Sequence, residues 1–143
     1  MPGPNARRAS TLLAAVFALL ATVPAVAHHS VGGVFDESKQ LVLKGTFTKI
    51  EWINPHIHLY LAATEPDGKK TTWEIETFPT NWMRKAGITK ATVWGNAEAG
   101  EVVTLNVNPA RDASMHLAYL IRITYPDGHF IHVTGDPAKI ASN

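Results

Sequence analysis

Leu41-Val42-Leu43-Lys44-Gly45-Thr46-Phe47-Thr48-Lys49-Ile50-Glu51-Trp52-Ile53 is the stretch whose reading decides the fold. It is rich in β-formers and partly alternating, which predicts one long strand bent at Gly45, where no side chain is in the way. Asn54-Pro55 interrupts it, because proline donates no hydrogen bond to a ladder. His56-Ile57-His58-Leu59-Tyr60-Leu61 then alternates with period two. Glu65-Pro66-Asp67-Gly68-Lys69 is a turn, since proline presets φ and glycine accepts positive φ. Thr71 to Phe78 alternates again, with Trp73 and Ile75 set against Glu74 and Glu76.

Beyond this meander the pattern changes. Pro79 to Gly87 predicts one short helix, with Thr80 as N-cap and Gly87 at the C-terminal end. Val93 to Gly100 reads as a connector, Glu101 to Val107 as a fourth strand, and Pro109 to Met115 as a loop. His116 to Tyr125 and His129 to Thr134 form a second hairpin across Pro126-Asp127-Gly128, a near copy of the first turn. This order predicts an all-β fold with a small α component. It is an OB-like, five- or six-stranded antiparallel Greek-key barrel with one short helix between the third and fourth strands. Closure hides strand edges that a cysteine-free sheet would otherwise leave open. An open antiparallel sandwich has the same strand count and is the alternative.

Upstream, Arg7 and Arg8 precede the apolar run Leu12 to Val23, and Ala25-Val26-Ala27 is a small-residue cleavage signature. These three parts predict a signal peptide over residues 1–27, with an apolar segment too short to span a bilayer comfortably. Arg7-Arg8 also raises the twin-arginine route, but Ala9-Ser10-Thr11 does not continue that motif, so general secretion is the expectation. The predicted organisation is then an N-terminal arm at 28–39, a barrel domain at 40–135 and an irregular tail at 136–143. The predicted location is periplasmic or secreted.

Cleavage after Ala27 leaves 116 of the 143 residues, with 11 Lys and Arg against 12 Asp and Glu, a net charge of −1. That suffices for one domain. There is no polybasic run, so nucleic acid is not an expected partner. No later segment is apolar for long enough to suggest a membrane span in the mature chain. With no cysteine, disulfides, thiolate metal sites and cysteine nucleophiles are excluded. Ser30 and Ser114 lack the context of an activated nucleophile, and Gly32-Gly33 is not a phosphate loop.

The chemistry-bearing residues are the histidines, seven in all: His28, His29, His56, His58, His116, His129 and His132. Neutral imidazole is a common ligand of copper and zinc. His56 and His58 lie two apart on a strand and leave the same face. If the first turn is a three-residue loop, His58 faces Glu76 and Tyr60 faces Glu74. Ile57, Leu59, Trp73 and Ile75 then share the other face. The result is a patch of His56, His58, Tyr60, Glu74 and Glu76, which a solvated polar sheet face would also produce. Asn54-Pro55 fixes where the first imidazole points.

A mature chain starting at His28 offers a metal both its α-amine and its imidazole, the chelating half of a histidine brace. His56, His58 or His116 is then the candidate third nitrogen. His29, at mature position two, is an alternative that would bind with the amine and the intervening amide. Glu76 is expected as an outer acceptor that fixes a histidine tautomer. Met115 beside His116 suits Cu(I), though a gap-filling role is the plainer one. Arg122 and His132 fall opposite one another if the second hairpin copies the first. Trp52 and Trp73 are assigned to the core, and Trp82 to one end of the barrel.

The chain resembles a family of small exported bacterial proteins whose domain has no assigned function. The resemblance rests on Ala27-His28-His29-Ser30, Phe35-Asp36, Leu43-Lys44-Gly45-Thr46, Glu51-Trp52-Ile53-Asn54-Pro55-His56 and Trp73-Glu74-Ile75-Glu76, followed by a late glycine-bearing hairpin. It implies a small periplasmic β-barrel and supplies no activity. The chain departs from the pattern between Asn108 and Ala118. The functional expectation is therefore an exported binding protein, with copper as the candidate cofactor. A module that docks a periplasmic protein or small molecule through the Trp52 to Tyr60 region is the alternative, and a copper-dependent oxidoreductase is a third.

Overall fold

Gly45 is where the first strand changes partners. In the computed structural model, which describes residues 30–65, 67–133 and 139–142, Leu41–Glu51 is one eleven-residue strand, β1. Its first half, Leu41 to Gly45, pairs antiparallel with Val107 to Val103 of β4 (Val103–Pro109). From Gly45 onward it pairs with Ala63 to His58 of β2 (Ile57–Thr64). A Cβ placed on Gly45 would lie 2.2 Å from the Ala62 carbonyl oxygen, so the crossing admits no side chain.

β2 continues into β3 (Lys70–Thr77) in full antiparallel register, Ile57 opposite Thr77 through to Thr64 opposite Lys70. β4 pairs antiparallel with β5 (Leu117–Thr124), and β5 closes the ring by pairing with β3, Glu74 to Leu117 through Glu76 to Tyr119. The barrel order is thus β1-β2-β3-β5-β4-β1, the closed OB-like layout, with β6 (Phe130–His132) and β7 (Ala141–Ser142) extending the sheet from β5. One correction to the expected architecture follows: the β3–β5 pair is parallel, so the sheet is mixed. A ring of five strands, being odd, cannot alternate direction at every step, and one parallel contact is unavoidable.

The interior follows the alternation read from the sequence. Ile57, Leu59, Leu61 and Ala63 of β2 are buried while His58, Tyr60 and Ala62 are half-buried on the outer face. Trp73 and Ile75 join them from β3, Leu105 and Val107 from β4, and Leu120 and Ile123 from β5. Each fully buried leucine or isoleucine contributes about 2 kcal/mol relative to exposure.

The linker between β3 and β4 is a second correction, because it holds two short helices and a 3₁₀ turn where one helix was expected. These are α2 (Thr80–Lys85), α3 (Lys90–Trp94) and the turn Ala97–Ala99, preceded in the chain by α1 (Val31–Val34). Gly87, at φ 76°, ends the first segment, and Thr89 Oγ1 caps the second by accepting from Thr92 N at 3.1 Å. Met83, Ile88 and Val93 from this linker are buried in the core. Tyr125 ties it down, its hydroxyl donating to the Val93 carbonyl at 2.8 Å. Within 28–39, Phe35 is buried and bridges to Ala110. Within 136–143, Ala141–Ser142 pairs with β6.

The turns around Asp67-Gly68 and Asp127-Gly128 share one hydrogen-bond pattern. Glu65 N bonds the Lys69 carbonyl and Tyr125 N bonds that of His129, while Asp67 and Asp127 each accept from the amide two residues on. Arg122 and His132 are cross-strand partners, as that copying predicts.

Gly45→Ala should destabilise the protein by about 3 kcal/mol or more, since a backbone must move to admit the methyl. Lys44→Ala, at an exposed neighbour, should stay within about 0.5 kcal/mol. Urea unfolding of both variants checks this.

Candidate histidine–carboxylate face

A bulge in β1 brings the polar residues of three strands onto one outer face. Between Phe47 and Lys49 the register with β2 shifts by one residue, which reverses the phase of the strand. Phe47 and Ile50 both point inward, and Lys49 and Glu51 emerge opposite Tyr60 and His58. The extra residue, Thr48, donates from Oγ1 to the Tyr60 carbonyl at 3.3 Å.

On this face the sequence-derived register holds: His58 is opposite Glu76 and Tyr60 opposite Glu74. The hydrogen bonds run on the diagonal. His58 Nδ1 meets Glu74 Oε1 at 2.8 Å, and His56 Nδ1 pairs with Glu76 Oε1. Diagonal neighbours on a twisted pair of strands are within reach of long side chains. A carboxylate only accepts, so each pair places the imidazole proton on Nδ1 and the lone pair on Nε2. Both imidazoles therefore present the same nitrogen, one from β2 and one from the residue just before it.

Beside them, Tyr60 Oη donates to Glu51 Oε2 at 3.1 Å, and Lys49 Nζ pairs with Glu51 Oε1 while lying 5.0 Å from the centre of the Tyr60 ring. The Lys49 hydrogen bond, then that of Tyr60, holds the Glu51 carboxyl below its ordinary value. Partial burial, followed by the bond to Glu51, pushes the Tyr60 phenol up. Lys49 and Glu51 were not among the expected site residues. The signal for them is the apolar Ile50 between two charges, out of phase with Leu43, Gly45 and Phe47.

Asn54 has a structural task. Its Oδ1 accepts from the Thr80 backbone N–H at 3.3 Å and from Thr80 Oγ1 at 2.9 Å, so it caps α2 from the β1–β2 turn. Thr80, expected as the N-cap, is the first helical residue, and Pro79 holds the cap position without a side-chain bond. The Asn54–Pro55 peptide is cis.

His116 stands apart from the ladder. Its ring meets Trp73 edge-on, 5.2 Å between centres, and Trp73 points to the opposite face from Glu74. The structure thus brings together His56, His58, Tyr60, Glu74 and Glu76 and leaves His116 out. His28 and His29 lie outside the described residues, as does the expected signal peptide. Among the described residues no three His, Cys, Asp or Glu side chains converge as a metal site, and no helix is long and apolar enough to cross a membrane.

The fold and this face define a small mixed β-barrel whose outer surface carries ordered histidine–carboxylate pairs. The chain belongs to the family of unknown function DUF6152, whose match covers residues 16–118. No curated protein and no solved structure matches it.

The depressed Glu51 carboxyl fixes a sign. Its contribution to stability is complete above the unfolded value near 4.5 and is lost as pH falls through the lower folded value. Carboxyl-detected NMR titration should find Glu51 titrating below 4.5 and moving up towards that value in Lys49→Met.

Proposed function

We propose that this is an exported binding protein of the periplasm or cell exterior that takes up a first-row transition metal ion, copper foremost. The observation that carries the reading is the pair of Nδ1–carboxylate bonds, His56 to Glu76 and His58 to Glu74. Metal-ligating histidines characteristically donate their other ring nitrogen to a carboxylate, which fixes ring orientation and tautomer and raises ligand basicity. Two such imidazoles at i and i+2 offer two Nε2 donors. Imidazole nitrogen suits copper, and copper(II) heads the divalent affinity order.

Two nitrogens are too few for tight binding, so the reading calls for further donors. The chemistry best suited is a mature amino terminus at His28, whose amine and imidazole would chelate from a single residue. Glu74 and Glu76 act through the imidazoles they orient. When bound, copper would supply a Lewis-acidic, redox-active centre.

A second reading has its own observation. Ile53 is 51% exposed in the β1–β2 turn, beside the partly buried Trp52, and an apolar tip of this kind suits docking of a partner protein.

Copper(II) titration of chain purified from the periplasm, its N-terminus established by intact mass, separates them. The metal reading expects one tight equivalent in the parent, loss of tight binding with an extra alanine before His28, and loss in His56→Ala/His58→Ala. Glu74→Gln and Glu76→Gln should each weaken binding roughly 10- to 100-fold. Equal, weak binding across the series would sink it and leave the docking reading, tested through Ile53→Ser.

A further inference from the structure

A second feature lies on the flank of the barrel where α1 packs. Here Val31, Glu37, Phe78, Tyr119, Leu120 and Val133 line a cavity of about 340 Å³, within the size range of small-molecule sites. It shares no lining residue with the histidine pairs. Its walls are aromatic and held in place from behind. Phe78 stacks on Trp82, 4.8 Å between centres and 20° from parallel. Tyr119 meets Phe78 edge-on at 5.6 Å and packs against Phe35 at 5.3 Å. Two fixed rings nearly at right angles present a corner of π-surface that need not reorganise on binding.

Among the described residues that line the cavity, Glu37 carries the formal charge, and no basic side chain is found there. Glu37 is exposed at its mouth, and among the described residues it forms no salt bridge. Lys39, nearby in sequence, is engaged with Asp36 at 2.9 Å. The Asn108 amide is spent on the Lys39 carbonyl at 2.7 Å. Glu76 lies behind Tyr119 in the β3–β5 register. Both carboxylates act on the phenol, which burial, first of all, and then Glu76 and Glu37 push well up, so it stays a neutral hydroxyl. Apolar side chains (Leu120, Ile121 and Val133) complete the wall.

We infer that this cavity binds a small organic cation, an alkylammonium whose charged head lies between Glu37 and the Phe78–Tyr119 corner and whose apolar body lies along Val31 and Ile121. Aromatic faces attract cations through the ring quadrupole, most strongly where water is excluded, and a carboxylate at the mouth adds a charge-assisted partner for an N–H donor. An anion would meet only repulsion from Glu37. A neutral molecule of the same shape would gain the apolar contacts and nothing from the charge.

The test is NMR titration of the full exported chain with n-butylammonium and, separately, with n-butanol. The expected result is saturable ammonium binding, with shifts centred on Phe78, Tyr119 and the Glu37 region, and butanol binding about tenfold weaker. Glu37→Gln, an exposed and fold-neutral change, should bring the ammonium down to the level of the alcohol. Absence of ammonium binding, shifts centred elsewhere, equal affinity for the two probes, or full ammonium affinity in Glu37→Gln would each overturn the inference.

Discussion

Gly45 of β1 stands where any side chain would run into the Ala62 carbonyl, and the barrel depends on that freedom from a side chain. At that point β1 is shared between β4 on one side and β2 on the other. This eleven-residue strand passes from one neighbour to the other where nothing projects from the backbone. Once β1 bridges β2 and β4, the remaining freedom is small. β3 follows β2 as a hairpin, β5 follows β4 as its antiparallel neighbour, and β3 and β5 meet running in the same direction. Ring closure buries one face of every barrel strand and leaves the other for solvent or ligand.

That division of faces creates the histidine–carboxylate surface. The buried side takes the apolar half of each alternating strand, so His56, His58, Tyr60, Glu74 and Glu76 emerge together. Two local devices refine their placement. The bulge at Thr48 reverses the phase of β1 and sets Lys49 and Glu51 beside Tyr60. Asn54 anchors the β1–β2 turn to the start of α2, which steadies the approach to His56. The result is a row of imidazoles whose Nδ1 atoms are all engaged by carboxylates, with their Nε2 atoms presented alike.

Much of this was legible in the sequence. Period-two alternation in His56 to Leu61 and Thr71 to Phe78, joined by a turn of known chemistry, determines the register of β2 and β3 down to individual pairs. The copied second hairpin was legible for the same reason, because it depends on residues close together in the chain. What escaped the reading depends on distant partners or on phase. The parallel β3–β5 contact follows from counting strands round a closed ring, which local pattern does not reveal. Thr80 has the composition of an N-cap, but Asn54, 26 residues away, supplies the capping oxygen. His116 shares a residue type with His56 and His58, yet its place just before β5 sets it against Trp73. The cavity at Tyr119 draws on α1, the residue after β3, β4, β5 and the residue after β6, and no contiguous motif marks it.

The central claim is that the His56 and His58 rings are held as Nδ1–H tautomers with Nε2 as the donor atom. Long-range proton–nitrogen correlation spectra of imidazole-labelled protein test it directly, first metal-free at neutral pH and then with one equivalent of zinc(II) as a diamagnetic probe. The account predicts Nδ1–H tautomers for both rings, and a large shift of both Nε2 resonances when the metal is added. Nε2–H tautomers in the free protein, or metal-induced shifts confined to other histidines, would contradict it.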